Sequence, residues 1–153
     1  MAISASVRMG APPARVRAWF LDLEAHPERY RFATHGGFAF VRGRFGQVGA
    51  QFETRERFFG LPVRLLFELT EVGSDGFRFR LLRPSLPIQG RFALQPTPDG
   101  ATTLSLEVTG LTRWGALLLS LPLIRWAVRR QIAREVAHVK ASVEADAGQA
   151  VLR

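Results

Sequence analysis

The stretch QFETRERF, residues 51–58, holds the side chains best placed to do chemistry. In an alternating strand, Thr54 and Glu56 share a face with Phe52 and Phe58, while Gln51, Glu53, Arg55 and Arg57 face the other way. A carboxylate on an aromatic face must be paired, protonated or touching a ligand, because an isolated charge is costly to bury. Glu56 is therefore the candidate general acid or base, and the sequence shows no obvious catalytic partner for it. The structural alternatives are a bulge that flips the face and a nearby arginine that neutralises the charge.

Other chemistries find little to work with. There is no cysteine, which removes disulfides, thiolate nucleophiles and Cys-based zinc sites. His26, His35 and His138 are the only histidines and none is spaced as a metal pair, so neither metal nor cofactor is expected. No serine sits in a nucleophile elbow. Gly43, Gly46 and Gly49 fit no nucleotide-binding fingerprint, and no helix follows to supply its dipole. A flexible hairpin connection is the simpler reading. GGFAFVRG (36–43) comes close to an RNA-recognition strand, but Gly36 and Gly43 replace its basic and aromatic positions. That module also needs a helix where this chain continues with strands.

The net charge of +8 is an arginine charge, since Lys140 is the only lysine among 21 basic residues. Asparagine is absent altogether. The skew fits a GC-rich coding bias, and heat tolerance, better than a designed basic surface. The basic residues are scattered, with the densest cluster at Arg125, Arg129, Arg130 and Arg134, which argues against a nucleic-acid partner. Long-range attraction to anionic partners still follows. The start MAISASVRMG has neither a basic head nor an apolar run, so the expectation is a cytoplasmic bacterial protein without a secretory signal.

The elements follow from periodicity. Ile3, Ala5, Val7 and Met9 alternate as a half-buried strand, and Pro27 divides residues 13 to 31 into two short helices. From Phe38 to Thr109 a period of two persists through about six strands, joined by tight turns such as FGLP (59–62), GSDG (73–76) and PTPDG (96–100). Connections this short imply an antiparallel meander. Ile124, Val128, Ile132, Val136, Val139 and Val143 then mark one long amphipathic helix. The fold class is α+β, with an antiparallel sheet of about six to seven strands covered by that helix. Residues 1–146 form a single domain, and 147–153 read as a frayed tail.

VRMGAPPARVRAWFLDLEAHPERY (7–30) resembles the opening of the START-like, or Bet v 1-like, superfamily (SRPBCC). Its polyketide cyclase/dehydrase and lipid-transport members are the most similar. Ala11, Pro12, Val16, Asp22, Pro27 and Tyr30 carry that likeness, with Tyr30 where tryptophan is commoner. HVKASVE (138–144), with Lys140 and Glu144, resembles the closing helix. The resemblance covers nearly the whole chain. It implies a helix-grip fold, a curved sheet around the last helix with an internal cavity for an apolar or amphipathic ligand. It does not imply one chemistry, since members include carriers, hormone binders, hydroxylase subunits and cyclases.

On that basis Phe52, Thr54, Glu56, Phe67, Phe79 and Phe92 are the expected ligand-binding residues from the strands. Leu106, Leu118, Trp126, Ile132 and Val136 complete the set. The run RWGALLLSLPLIRWAVRRQ (113–131) is too short to span a bilayer, which needs about 20 apolar residues, and Pro122 interrupts it. Thr112 can cap a short helix over 113 to 121, with Pro122 starting the long one. This run is either core, cavity rim or a helix resting on an anionic membrane. The leading expectation is a binding protein for a hydrophobic small molecule such as a lipid, polyketide or isoprenoid, without catalysis. A cyclase or dehydratase using Glu56 is the alternative, and a peripheral lipid-transfer protein docking through residues 113 to 126 is another.

Overall fold

The computed structural model describes residues 2–32 and 35–151. The first alternating segment forms strand β1 (Ala2–Met9), with Ile3 and Met9 in the core. Pro13 opens helix α1 (Pro13–Leu21), where its missing N–H lacks a helical partner in any case. Two short helices were expected over 13 to 31. The chain instead follows α1 with two 3₁₀ turns, Asp22–Glu24 and Pro27–Tyr30. Pro27 cannot donate the hydrogen bond that would carry an α-helix through it, so the backbone tightens into short turns.

Six further strands follow: β2 (His35–Arg42), β3 (Gln51–Phe58), β4 (Leu61–Gly73), β5 (Gly76–Arg83), β6 (Ile88–Pro96) and β7 (Thr102–Gly110). Each pairs antiparallel with the next, and β1 pairs with β7, giving the seven-stranded order β1-β7-β6-β5-β4-β3-β2. The β3–β4 hairpin turns through Phe59 and Gly60, both at positive φ (53° and 76°), as a two-residue turn that matches sheet twist requires. The longer β2–β3 connection is fastened at both ends. Phe45 is buried there, and Gly49 and Ala50 exchange backbone hydrogen bonds with Leu69. Phe38, in the RNA-like stretch, is likewise buried and packs against Phe52, so it offers no ring to a base.

After β7 the chain makes α2 (Arg113–Ser120) and α3 (Pro122–Val151). Thr112 caps α2 by accepting from the Gly115 backbone N–H at 3.2 Å. Two glycines let α2 approach the strand ends. A Cβ on Gly115 would sit 2.2 Å from the Pro87 carbonyl oxygen, and one on Gly110 would sit 2.2 Å from the Ala116 nitrogen. Ile132, Val136, Val139 and Val143 bury one side of α3 against the sheet, with Ile124 and Val128 partly buried ahead of them. The helix continues past Asp146 to Val151, where a frayed tail was expected; residues 152 and 153 of that tail lie outside the described residues. Ala145 and Ala147 are strong helix formers and carry it on. No helix among the described residues is long and apolar enough to cross a membrane.

Gly115→Val forces a methyl-bearing carbon into the Pro87 carbonyl and should cost about 2 kcal/mol or more. Gly148 is exposed, and a Cβ added there would meet nothing within 4 Å. Gly148→Ala should therefore stabilise by about 0.5–1 kcal/mol, the ordinary helix propensity difference. Urea unfolding of the two variants against the parent checks both values.

Candidate functional site

The concave face of the sheet and the facing side of α3 enclose a cavity of about 440 Å³. Its floor is aromatic. Phe52, Phe67, Phe79 and Phe92 lie along neighbouring strands with successive ring centroids 5.4, 5.4 and 5.8 Å apart. Leu106 continues that floor, Ile132 enters from α3, and Leu118 of α2 borders the open end. The open end is marked by lining residues that reach solvent, Phe59 and Pro84, whereas Phe20 and Leu23 at the other end are fully buried.

Thr54 and Glu56 both point into this cavity, 3% and 5% exposed, and Glu53 points out to pair with Arg64 at 3.3 Å. The Thr54 hydroxyl donates to Glu56 Oε1 at 3.0 Å. Glu56 is not alone. Glu135 of α3 lines the same cavity and accepts from the Tyr30 hydroxyl at 2.9 Å. Gln131, one turn before Glu135, is 5% exposed, and its Nε2 has no acceptor of normal geometry among the described residues. A polar cluster thus sits on one wall, two residues down β3 from Phe58, or roughly 7 Å below the rim at strand spacing.

Burial dominates the electrostatics of that wall. Desolvation pushes the Glu56 carboxyl up to about 7, against a smaller opposing effect of the Thr54 hydrogen bond. Desolvation also raises Glu135, to about 8, with the Glu56 charge adding to it and the Tyr30 and Gln131 contacts working the other way. Tyr30 is pushed well above its ordinary range by burial and by Glu135. Two nearby carboxyls in an apolar enclosure cannot easily both ionise, so each stays protonated to a higher pH than a solvated carboxyl would.

Two expected site residues lie elsewhere. Trp126 is 53% exposed and does not line the cavity; it stacks on Phe59 at 6.5 Å, with the Arg130 guanidinium 5.3 Å from its ring centroid. At about 100° per residue, it lies on the far side of the helix from Ile124 and Val128. Val136 is buried but also outside the lining. Steps of four residues advance about 40° each, so the stripe rotates away from the cavity as it climbs. Glu135 lies only about 20° from the Val128 direction and takes the inward position instead. Tyr30, Gln131 and Glu135 were therefore missed as site residues, although spacing from Val128 by three and seven was available to find the last two.

Architecture and cavity together define the Bet v 1-like helix-grip fold. The chain superposes on a Thermus thermophilus protein, TTHA0849, with a TM-score of 0.74 at 20% identity, covering 95% of this chain and 99% of that one. It matches the Zhui aromatase/cyclase from Streptomyces sp. R1128 with a TM-score of 0.73 at 12% identity, over 94% and 93% of the two chains. Ara h 8.0201 follows at 0.70 and 14%, over 95% and 98%. No protein-family model matches the sequence, and no curated sequence is significantly similar to it.

Because both carboxyls have folded-state values raised above the ordinary 4.5, the folded protein binds more protons than the unfolded chain across the window between them. Stability is thus highest below about pH 4.5 as far as these groups are concerned, and declines as pH rises through 7 to 8. Thermal melts of the parent should drop from pH 5 to pH 8, and Glu135→Gln should flatten much of that drop. An unchanged slope in Glu135→Gln would mean that the carboxyl is solvated.

Proposed function

We propose that the protein binds a largely apolar small molecule, ring-shaped or chain-like, whose single polar group docks against the Tyr30–Glu135–Gln131 wall. The observation that carries this reading is a buried polar wall, Tyr30, Gln131 and Glu135, on one side of a largely apolar cavity. Buried polar groups favour a partner that can hydrogen-bond with them, and a carbonyl or hydroxyl oxygen on a ligand can do so. The aromatic floor supplies apolar contact area, and the polar wall fixes orientation, the usual division in small-molecule sites. Lipids, polyketides and isoprenoids all carry the required combination of hydrocarbon and oxygen.

Acid/base catalysis is the second reading, supported by the carboxyl pair. In a dehydration, an ionised carboxylate takes a proton from carbon while a protonated carboxyl delivers one to the departing hydroxyl, and water leaves. With one of them ionised and the other protonated, Glu56 and Glu135 match both roles, and the reaction leaves the pair with the same total proton count. The aromatase/cyclase named among the fold neighbours is compatible with this reading at the level of architecture.

Titrating the protein with naphthol and with naphthalene separates orientation from bulk apolar uptake. Naphthol should bind more tightly, and Gln131→Leu should reduce that preference by about five-fold, the worth of one net hydrogen bond. Val128→Trp should fill the cavity and abolish uptake of both while circular dichroism stays unchanged. Equal affinity for the two probes in the parent would remove the polar wall from the binding reading. A bell-shaped pH–rate profile on a β-hydroxy ketone, lost in Glu56→Gln, would establish the enzyme.

A further inference from the structure

The rim of the cavity carries an exposed apolar patch that binding inside the cavity does not use. Trp114 and Leu117 of α2, Leu121 at the helix break, Leu123 and Trp126 of α3, and Phe59 at the β3–β4 tip are each between 46% and 64% exposed. Helical spacing aligns Trp114, Leu117 and Leu121 on one face of α2, and Leu123 with Trp126 on one face of α3. Phe59 joins them by stacking on Trp126. Its backbone is left-handed, where glycine or asparagine is the ordinary choice, so a large ring is held at this tip despite the conformation.

Charge around the patch is of one sign. Many arginines over the sheet and near α1 are paired, Arg29 with Asp22, Arg44 with Glu24, Arg78 with Glu71 and Arg80 with Glu68. Between Glu107 and Glu135 the sequence has no acidic residue at all. Arg113, Arg129 and Arg130, all exposed in that span, have no carboxylate partner among the described residues, and neither has Arg57 beside the hairpin tip. Exposed apolar side chains at the α2–α3 corner, flanked by arginines without a carboxylate partner among the described residues, form an amphipathic surface.

We propose that this surface docks the protein onto an anionic lipid bilayer, with the tryptophans at headgroup depth and the leucines entering the acyl boundary. The two chemistries match the two layers they would meet: arginine to lipid phosphate, indole to the interface, leucine to hydrocarbon. A second copy of the chain is a poorer fit, since self-association would bring two unmatched cationic patches together. Docking here places the open end of the cavity against the membrane, although the inference does not depend on what the cavity holds.

The test uses the full chain with vesicles of phosphatidylcholine alone or mixed with phosphatidylglycerol, read by co-sedimentation and tryptophan emission. The expected result is binding to the mixed vesicles, weakened by salt, with a blue shift from Trp114 and Trp126, since Trp19 is already buried. Arg129→Gln and Arg130→Gln should each lose about five-fold in affinity at low salt. The Trp114→Ser, Leu123→Ser double variant should abolish binding with its melting temperature and naphthol uptake unchanged. The proposal is overturned by any of three results: no vesicle binding, equal binding to neutral vesicles, or a dimer in sedimentation that the double variant dissociates. Capture of an acidic peptide or nucleic acid without vesicle binding would equally overturn it.

Discussion

The aromatic concave face of the sheet has to be covered, and a single long helix is all the chain provides to cover it. The rest of the molecule follows from how badly that helix fits. On the sheet side, phenylalanine rings of neighbouring strands pack on one another, Phe52 and Phe67 stacked at 23° and Phe67 and Phe79 edge-on at 87°. On the helix side the facing residues are Ala127, Val128, Gln131 and Ile132, which are small or slender. Rings that pack on one another across the strands leave space beneath the short side chains opposite. Close packing is lost between the two layers, and the space left over is the cavity.

An apolar enclosure of this kind makes any polar group within it consequential. Glu56 and Glu135 arrive from different elements, one fixed by strand register and the other by helix phase. Neither has enough water to ionise freely, so each is governed by the donor beside it and by the other. Tyr30 reaches the site from a 3₁₀ turn, and that turn is itself tied to α3. His138 Nε2 hydrogen-bonds with the Arg29 carbonyl oxygen, and its ring stacks on Phe32 at 4.7 Å. The donor to Glu135 is thus held by the same helix that carries Glu135, which keeps the pair in register.

Strand periodicity made one half of the site legible in the sequence. A period of two put Thr54 and Glu56 on the face of Phe52 and Phe58 in QFETRERF, and the bulge that could have flipped them does not interrupt the β3–β4 pairing. Helix phase is less forgiving. Following apolar residues by steps of four traced the α3 core correctly through Val143 but carried the reading around the helix, to Val136 and away from Glu135. A polar residue on an apolar face also reads as an interruption of the stripe, although here the interruption is the site. Trp126 misled for the opposite reason: an aromatic next to a leucine-rich run suggests a lining, and only the rotation of the helix shows that it faces solvent. Tyr30 had a place in the motif that carried the resemblance, but its contact with Glu135 spans 105 residues of sequence and no local pattern encodes it.

A cavity in place of close-packed side chains, a buried amide and two hindered carboxyls all lower stability, and they occur together on the α3–β3 side. The opposite end of the grip compensates by dense packing. Phe20 of α1 meets Phe45, Phe77 and Phe92 at 5.9, 5.4 and 4.9 Å between ring centroids. Trp19, its neighbour, donates to Ser142 on α3 at 3.0 Å and so pins the helix at the end away from the cavity mouth. The helix is therefore anchored where the core is solid and left with loose neighbours where the cavity opens. Substitutions that fill the cavity can stabilise the fold at the expense of the site, whereas loss of Phe20 or Trp19 would release α3 and both sets of contacts with it.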